Sequence, residues 1–317
     1  MRRTRTLSVL GALLVAATPA VAQNTECAPY AGQAGNVCNA SVDATKYFHP
    51  LMGLAITGGN PLIGSGRTLG GLGHFALGIR ATAMPVQLPD LSYDGSTPTV
   101  PAGEEVPFGA PTIDGAVGIF NGFSGGILSI DGMVSIVASP KNIDNLTFDD
   151  DASTLGNFVY EIGWGGRVGI FQGMGPVPSI TLSYSQRSTP GMRYGDVNDG
   201  SDYDFHTKVN SKSYRAAFGW HLVGLDLSVG GGIDKYTGDA TIRFVDPTGP
   251  TTETVEVALD NSRNTAFANV GFNLGPVKLG FEGGWQGPGN QDFSTDFEDI
   301  DTDAGKFFGG VGLRLQF

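Results

Sequence analysis

The sequence predicts an all-β fold, an antiparallel transmembrane β-barrel of about ten strands, within a range of roughly 8 to 14. Two patterns predict it. From about Gly71 onward, the chain repeatedly alternates apolar with small or polar residues, which is the period of a β-strand. The connections between these stretches alternate long with short, as in barrels with long outer loops and tight periplasmic turns.

Composition excludes several other classes of protein. Of 317 residues, 49 are glycine and only 16% are charged, which is not the composition of a helix-rich soluble enzyme. After the N-terminal 25 or so residues, no run approaches the ~18 consecutive apolar residues of a membrane-spanning helix. The formal net charge of −12 argues against nucleic acid as a partner.

The N-terminus has the pattern of a secretory signal peptide. Three arginines precede the apolar run Leu7 to Ala17, and Ala20 to Ala22 supply the small residues that a signal peptidase reads. We expect residues 1–22 to be removed before Gln23. The alternative, a retained anchor helix, is disfavoured because the apolar run is short.

Residues 23–70 are expected to form a periplasmic lead-in or plug. Export makes a Cys27–Cys38 disulfide the favoured interpretation of the two cysteines. Residues 46–70 are the hardest to place. They form either a lead-in that partly plugs the barrel or a further strand, which would bring the count to eleven or twelve.

Residues 71–317 are expected to form the barrel. The ten candidate strands lie near 72–84, 112–121, 126–138, 157–171, 178–188, 208–221, 224–245, 253–273, 276–287 and 305–317. The long connections lie near 85–111, 139–156, 189–207 and 288–304. The hairpin around Pro247 has a short connection between two unusually long strands, so we expect it to project beyond the membrane.

Alternation within the strands separates lipid-facing from lumen-facing residues. In the stretches 157–171 and 276–287, one face is apolar and carries no charge, as hydrocarbon requires. The charged residues assigned to the lumen are Arg80, Asp114, Asp131, Glu161, Arg167, Arg187, Arg215, Asp226, Asp234, Lys278, Glu282 and Arg314. Acids and bases balance, which predicts a lumen closed by ion pairs, although the many lumenal glycines leave a narrow conduit as the alternative.

The last strand alternates in the same way and ends with Leu313, Leu315 and Phe317 on its apolar face. It resembles the terminal strand of bacterial outer-membrane β-barrel proteins. The resemblance implies an outer-membrane location, recognition of this strand by the barrel assembly machinery, and contact with lipid and lipopolysaccharide. The competing interpretation is a secreted β-sandwich, whose loops would not alternate in length.

The outer loops are acidic. The carboxylates and amide in 189–207 that could bind a hard cation are Asp196, Asn198, Asp199, Asp202 and Asp204. They do not match a calcium loop, so the default is a solvated acidic rim that either shares divalent ions with lipopolysaccharide phosphates or attracts cationic solutes. His206 near Asp202 and Asp204 faintly resembles the site of barrel proteases that use acidic and histidine residues at the extracellular mouth.

These observations predict a non-enzymatic barrel, structural or a narrow channel, with a largely filled lumen and no cofactor. One alternative is a transporter of small hydrophobic molecules, since Asn60-Pro61 weakly resembles the N-terminal hatch of fatty-acid transporter barrels. Another is a surface-loop binding protein or protease. Besides lipid, lipopolysaccharide and the assembly machinery, the one further partner considered is a small solute.

Overall fold

The computed structural model describes residues 23–123, 126–141, 146–150, 152–173, 177–249 and 251–317. Ten long strands, β1 to β10 in chain order, form the wall of the barrel. They are Phe75–Pro89, Ala102–Phe120, Ile127–Pro140, Phe158–Phe171, Ser179–Ser188, Asn210–Leu222, Leu225–Val245, Thr252–Leu274, Val277–Gln286 and Lys306–Gln316. The predicted antiparallel barrel of about ten strands is confirmed. The predicted signal peptide, residues 1–22, lies outside the described residues.

Each strand pairs antiparallel with its neighbours in the chain, and β1 closes the barrel against β10 from Ala76↔Gln316 to Ala83↔Gly309. The short connections after β2, β4, β6 and β8 define one end of the barrel, the turn end. The long connections define the other, the loop end, which faces outside the cell. The long loops contain six further short strands, at Thr99–Val100, Leu146–Phe148, Thr154–Leu155, Met192–Tyr194, Tyr203–Thr207 and Asp296–Phe297.

The outer surface of the wall carries an apolar belt. On β7 the outward residues are apolar up to Ile233 and polar from Lys235 to Arg243, so the β7–β8 hairpin extends well above the belt. Trp164, Tyr184 and Tyr214 sit side by side near the upper edge of the belt, with ring centroids 5.5 and 5.2 Å apart. Amphipathic rings at this height are typical of the membrane interface.

The predicted long loop 85–111 was too long. β1 continues to Pro89 and β2 begins at Ala102, and the two pair from Phe75↔Val117 to Pro89↔Ala102. The prolines in this stretch suggested a loop because proline cannot donate a ladder hydrogen bond. Here Pro85 lies opposite Pro107, and the strand pair continues regardless.

The largest departure from the prediction is in residues 23–74. After a 3₁₀ turn at Thr25–Cys27, Gly32–Thr57 form α1, a helix of 26 residues that stands inside the barrel. The proposed additional strand within 46–70 is therefore wrong. No helix in the described residues has the length and apolar content needed to cross a membrane.

The position of the N-terminal segment also corrects the expected periplasmic lead-in. Tyr30 packs edge-on against Phe244 at 4.9 Å, and Asn36 donates to the carbonyl of Gly95, both at the loop end. The helix then runs inward, and residues 58–74 continue through the lumen to the start of β1 at the turn end. We call residues 23–74 the plug.

The main hydrophobic core lies between α1 and the wall at the loop end. Buried residues of the helix, such as Phe48, Leu51 and Met52, form one cluster with Tyr236 and Ile242 of β7 and with buried residues of several other strands. The core therefore sits largely above the apolar belt. Inside the belt, the lumen is filled by the plug and by polar side chains.

Candidate functional site: the plugged lumen

The C-terminal end of α1 is held at mid-barrel by three buried arginines. Arg80 donates to the carbonyls of Ile56 and Asn60 at 3.3 and 3.1 Å. Arg187 donates to the carbonyls of Ile56 and Thr57 at 3.1 and 3.0 Å. The last carbonyls of a helix lack intrahelical partners and carry partial negative charge, so guanidinium groups suit them.

The third arginine, Arg215, donates to the carbonyls of Gly58 and Gly59 at 3.0 and 2.9 Å. The backbone N–H groups of Gly59 and Asn60 donate to Glu282 at 2.8 and 2.6 Å. The plug backbone is thus bound from both sides by charged groups of the wall.

Carboxylates balance these arginines. Asp114 pairs with both Arg80 and Arg187, at 3.0 Å each, and Asp234 pairs with Arg215 at 2.7 Å. Arg80, Asp114, Arg187, Arg215, Asp234 and Glu282, which we call the latch layer, therefore hold three positive and three negative groups, all buried. Buried charges are tolerated when they are paired and hydrogen-bonded in this way.

A second layer lies nearer the turn end. Arg167 pairs with Asp131 at 2.7 Å, and Asp131 also accepts the backbone N–H of Leu69 from the plug. Lys278 and Asp226 are paired, and Asp226 also contacts His221. The members of this turn-end layer are Arg67, Asp131, Arg167, Asp226, Lys278 and Arg314.

A third contact zone ties the plug to the outer loops. The buried carboxylate of Asp43 on α1 accepts the backbone N–H groups of Ser294 and Thr295 at 2.7 and 2.8 Å. Cys27 and Cys38 form a disulfide that joins the 3₁₀ turn to α1. The long loop 288–304 is therefore fastened to the plug at the loop end.

Eleven of the twelve charges assigned to the lumen lie in these two layers. The exception is Glu161, which pairs with Lys208 at 2.6 Å at the loop-end rim and is partly exposed. Sequence analysis missed Arg67, Lys208 and Asp43. Arg67 and Asp43 belong to the plug, where no strand alternation could assign them to the lumen.

The acidic residues of 189–207 are not gathered around one point. Asp204 is buried and bound by Arg243, at 2.6 Å. Asp196 accepts the backbone N–H of Asn198 and also contacts Arg243. Among the residues described, no group of three or more histidine, cysteine or acidic side chains could hold a metal ion. The Asp196, Asn198, Asp199, Asp202 and Asp204 cluster is consequently not assembled as a metal site, because guanidinium groups occupy two of its carboxylates.

His206 pairs with Asp149, at 2.6 Å, rather than with Asp202 or Asp204 as the sequence suggested. Both side chains are about one-third exposed on the loop-end surface. Leu313, Leu315 and Phe317 all face outward, and Phe317 exchanges two backbone hydrogen bonds of 3.0 Å with Phe75. Recognition of these three residues by the assembly machinery remains a prediction.

The closed strand order, the uncharged apolar belt and the aromatic side chains of Trp164, Tyr184 and Tyr214 near its upper edge decide the environment of the wall. The chain is an integral β-barrel of the bacterial outer membrane. No family model and no curated relative matches the sequence of this barrel.

Solved outer-membrane proteins are similar to the barrel in general architecture. The outer membrane protease OmpT from Escherichia coli is 13% identical, over 77% of this chain and 95% of that one, with a TM-score of 0.37. Ail, the attachment invasion locus protein of Yersinia pestis, is 10% identical over 78% and 99%, with a TM-score of 0.31. The Pseudomonas putida toluene transporter TodX is 7% identical over 77% and 88%, with a TM-score of 0.30. At these values the similarity is confined to architecture.

Proposed function

We propose that this barrel is a non-enzymatic outer-membrane protein whose lumen is kept closed by its own plug, and that solutes pass only when the plug moves. The observation that carries the proposal is the latch layer. Three arginines and one glutamate of the wall bind the backbone of residues 56–60 at mid-barrel.

The energetic argument follows from the burial of these contacts. A hydrogen bond that involves a charged group contributes about 1.5–3 kcal/mol. Losing even two of them without replacement would cost about 3–6 kcal/mol, which holds an open state below about 1% of molecules. The plug is therefore a closed gate in the resting barrel, and its opening needs a ligand or partner that stabilises the displaced form.

The test is conductance of the purified protein in planar bilayers. We expect the wild-type barrel to show only rare, brief openings and Arg215→Gln to show more frequent ones. Lys212→Gln is the matched control, because Lys212 lies on the same strand but is exposed. Large, steady, ion-permeable openings of the wild-type protein would overturn the proposal.

A specific observation favours passage of small hydrophobic molecules as a second candidate. The pairing of β2 with β3 ends at Thr112↔Val137, and the two strands diverge toward the loop end. A cavity of about 40 Å³ lies in the gap, lined by Phe108 and Val137 of the wall and by Met52 and Ile56 of α1. An apolar molecule entering here would reach the helix without crossing the charged layers.

This second candidate predicts that Ala138→Trp, at the rim of the gap, slows uptake of the hydrophobic probe N-phenylnaphthylamine into cells. Ala268→Trp on the exposed face of β8 is the control. Equal uptake by the two variants and the wild type would count against a lateral route. The uptake assay follows an uncharged probe and the bilayer assay measures ions. Each assay therefore tests one of the two proposed functions independently of the other.

A further inference from the structure

The turn-end layer, unlike the latch layer, has more cations than carboxylates. Arg67, Arg167, Lys278 and Arg314 face two carboxylates, Asp131 and Asp226. Asp131 is taken by Arg167, and Asp226 by Lys278. Neither Arg67 nor Arg314 has a carboxylate within 4.0 Å among the described residues.

Of these two arginines, Arg314 is buried and has hydrogen-bond donors without a partner among the described residues. Its side chain projects into the lumen from β10 and is only 4% exposed, directly opposite Lys278 on β9. Its Nη2 donates to Gln316 at 3.2 Å, whereas Nε and Nη1 have no hydrogen-bond partner in the described part of the chain. A buried guanidinium with two free donors is costly unless an acceptor meets it.

Lys278 and two arginines form one positively charged cluster. Arg314 lies opposite Lys278 on the neighbouring strand, and the plug passes beside the Lys278 side chain at Gly64, three residues before Arg67. Glycines at positions 271 and 280 leave the adjoining wall without side chains and allow the plug to approach closely at Gly64. The excess of two positive charges has no counterpart in the described residues.

A cavity at the turn end reaches this cluster at Arg67 and at Asp226, the carboxylate partner of Lys278. It has a volume of about 170 Å³ and is lined by Arg67, Asp226 and His221, together with turn residues such as Gly173 and Val177. Val177 is exposed and the side chain of His221 is 45% exposed, so the cavity opens toward the periplasm. It has room for a small polar group several times the size of one water molecule.

We propose that the turn-end layer is a binding site for a phosphate-type oxyanion that enters from the periplasmic side, with Arg67, Lys278 and Arg314 as its ligands. Phosphate oxygens accept hydrogen bonds from the planar guanidinium fork, and a charge between one and two matches the excess of two cations. The source is either free inorganic phosphate or the headgroup of a phospholipid at the inner face of the membrane. The site goes beyond the closed-gate proposal, since it neither requires nor prevents conduction.

The experiment is isothermal titration calorimetry, in which inorganic phosphate is added to delipidated protein in phosphate-free buffer with a non-ionic detergent and the dissociation constant is measured. We expect one saturable site in the wild type, binding at least tenfold weaker in Arg67→Gln and in Arg314→Gln, and unchanged binding in Lys212→Gln. Circular dichroism checks that each variant is folded. If Arg314→Gln does not fold, Arg67→Gln decides alone, because Arg67 lies on the plug rather than in the wall.

Native mass spectrometry of protein that has not been delipidated distinguishes the two sources. A phospholipid retained by the wild type and lost in Arg67→Gln would support the site and assign it to a headgroup. Phosphate binding without a retained lipid would support the site and assign it to the free anion. The proposal is overturned if the wild type binds neither, or if both arginine variants bind as the wild type does.

Discussion

Glu282 on the barrel wall accepts a 2.6 Å hydrogen bond from the backbone N–H of Asn60 in the plug. The residue was assigned to the lumen from strand alternation, but its partner is a backbone group that no sequence pattern marks. A carboxylate that binds two consecutive N–H groups fixes the direction in which the chain leaves α1. The wall and the plug are therefore joined directly at this point.

Glu282→Ala is expected to lower the free energy of unfolding by about 3 kcal/mol or more, because two charge-assisted bonds disappear and two buried N–H groups lose their acceptor. Urea unfolding in detergent, followed by tryptophan fluorescence, measures the change. Glu298→Ala in the exposed part of loop 288–304 is the control and should change stability by less than about 0.5 kcal/mol. Equal stability of the two variants would contradict the role of the latch layer.

Gly53→Ala is expected to destabilise the protein even though alanine favours helices. A β-carbon at Gly53 would overlap the ring of Tyr236, which lies against this turn of α1. Overpacking of this kind costs about 1–3 kcal/mol, more than the ~1 kcal/mol gained from helix propensity. Gly283→Ala is the matched control, since the outward-facing Gly283 has open space around it. A stabilised Gly53→Ala variant would show that α1 does not pack tightly inside the wall.

His49 makes the stability of the plug depend on pH. Burial of the imidazole lowers the pKa of His49 from 6.5 to about 4, and neither ring nitrogen has a hydrogen-bond partner among the described residues. The unfolded chain therefore binds a proton first as the pH falls. Stability from this group is complete above pH 6.5 and is lost toward pH 4, with about 2 kcal/mol lost between pH 7.5 and 5.

Thermal unfolding of wild type and His49→Gln at several pH values tests this dependence. The melting temperature of the wild type should fall between pH 6.5 and 4, and most of this fall should be absent in His49→Gln. His74→Gln, at an exposed histidine near the turn end, should show the same fall as the wild type. An unchanged pH profile in His49→Gln would refute the assignment to His49.

The plug should be accessible from outside the cell at its first residues. Ala28 and Pro29 are exposed at the loop end, beside the tip of the β7–β8 hairpin. On intact cells, an epitope inserted between Ala28 and Pro29 is expected to bind antibody to the same extent as an epitope inserted between Thr248 and Gly249. An epitope at Gly122 in a turn should bind only after the outer membrane is opened. If antibody reached the epitope at Ala28 only in opened cells, the first residues of the plug would lie on the periplasmic side, contrary to the direction described here.

The wall could be predicted from sequence because each strand carries its own signal. Lipid requires an apolar residue at every second position, and that requirement is visible in any short stretch such as 157–171. The same alternation assigned Asp114 and Arg187 to the lumen without knowledge of their partners. The helix α1 carried no such signal, because nearly every residue from Ala34 to Thr57 is buried. A helix surrounded by the wall has no solvent face, and hence no apolar stripe to reveal it.

Which lumenal charges are paired was a separate question that alternation could not answer. Counting acids and bases suggested balance, but Glu161 belongs to the loop-end rim and Arg67 comes from the plug. The latch layer is neutral while the turn-end layer has two cations in excess. Three of the ion pairs join neighbouring strands, whereas Arg187–Asp114 and Lys278–Asp226 join strands that are not neighbours, so the pairing depends on side-chain distances in the folded lumen.

By itself, the amino-acid order determined that this chain is a membrane barrel and which residues face lipid, since these follow from contacts each residue makes with a uniform solvent. Only the three-dimensional arrangement decided that an internal helix fills the lumen, that its end is held by Arg80, Arg187, Arg215 and Glu282, and that Arg314 has no carboxylate partner in the part of the chain that the structure describes. Those outcomes depend on partners brought together by closure of the barrel, which lie from 20 to 223 residues apart in the chain, and no local pattern encodes them.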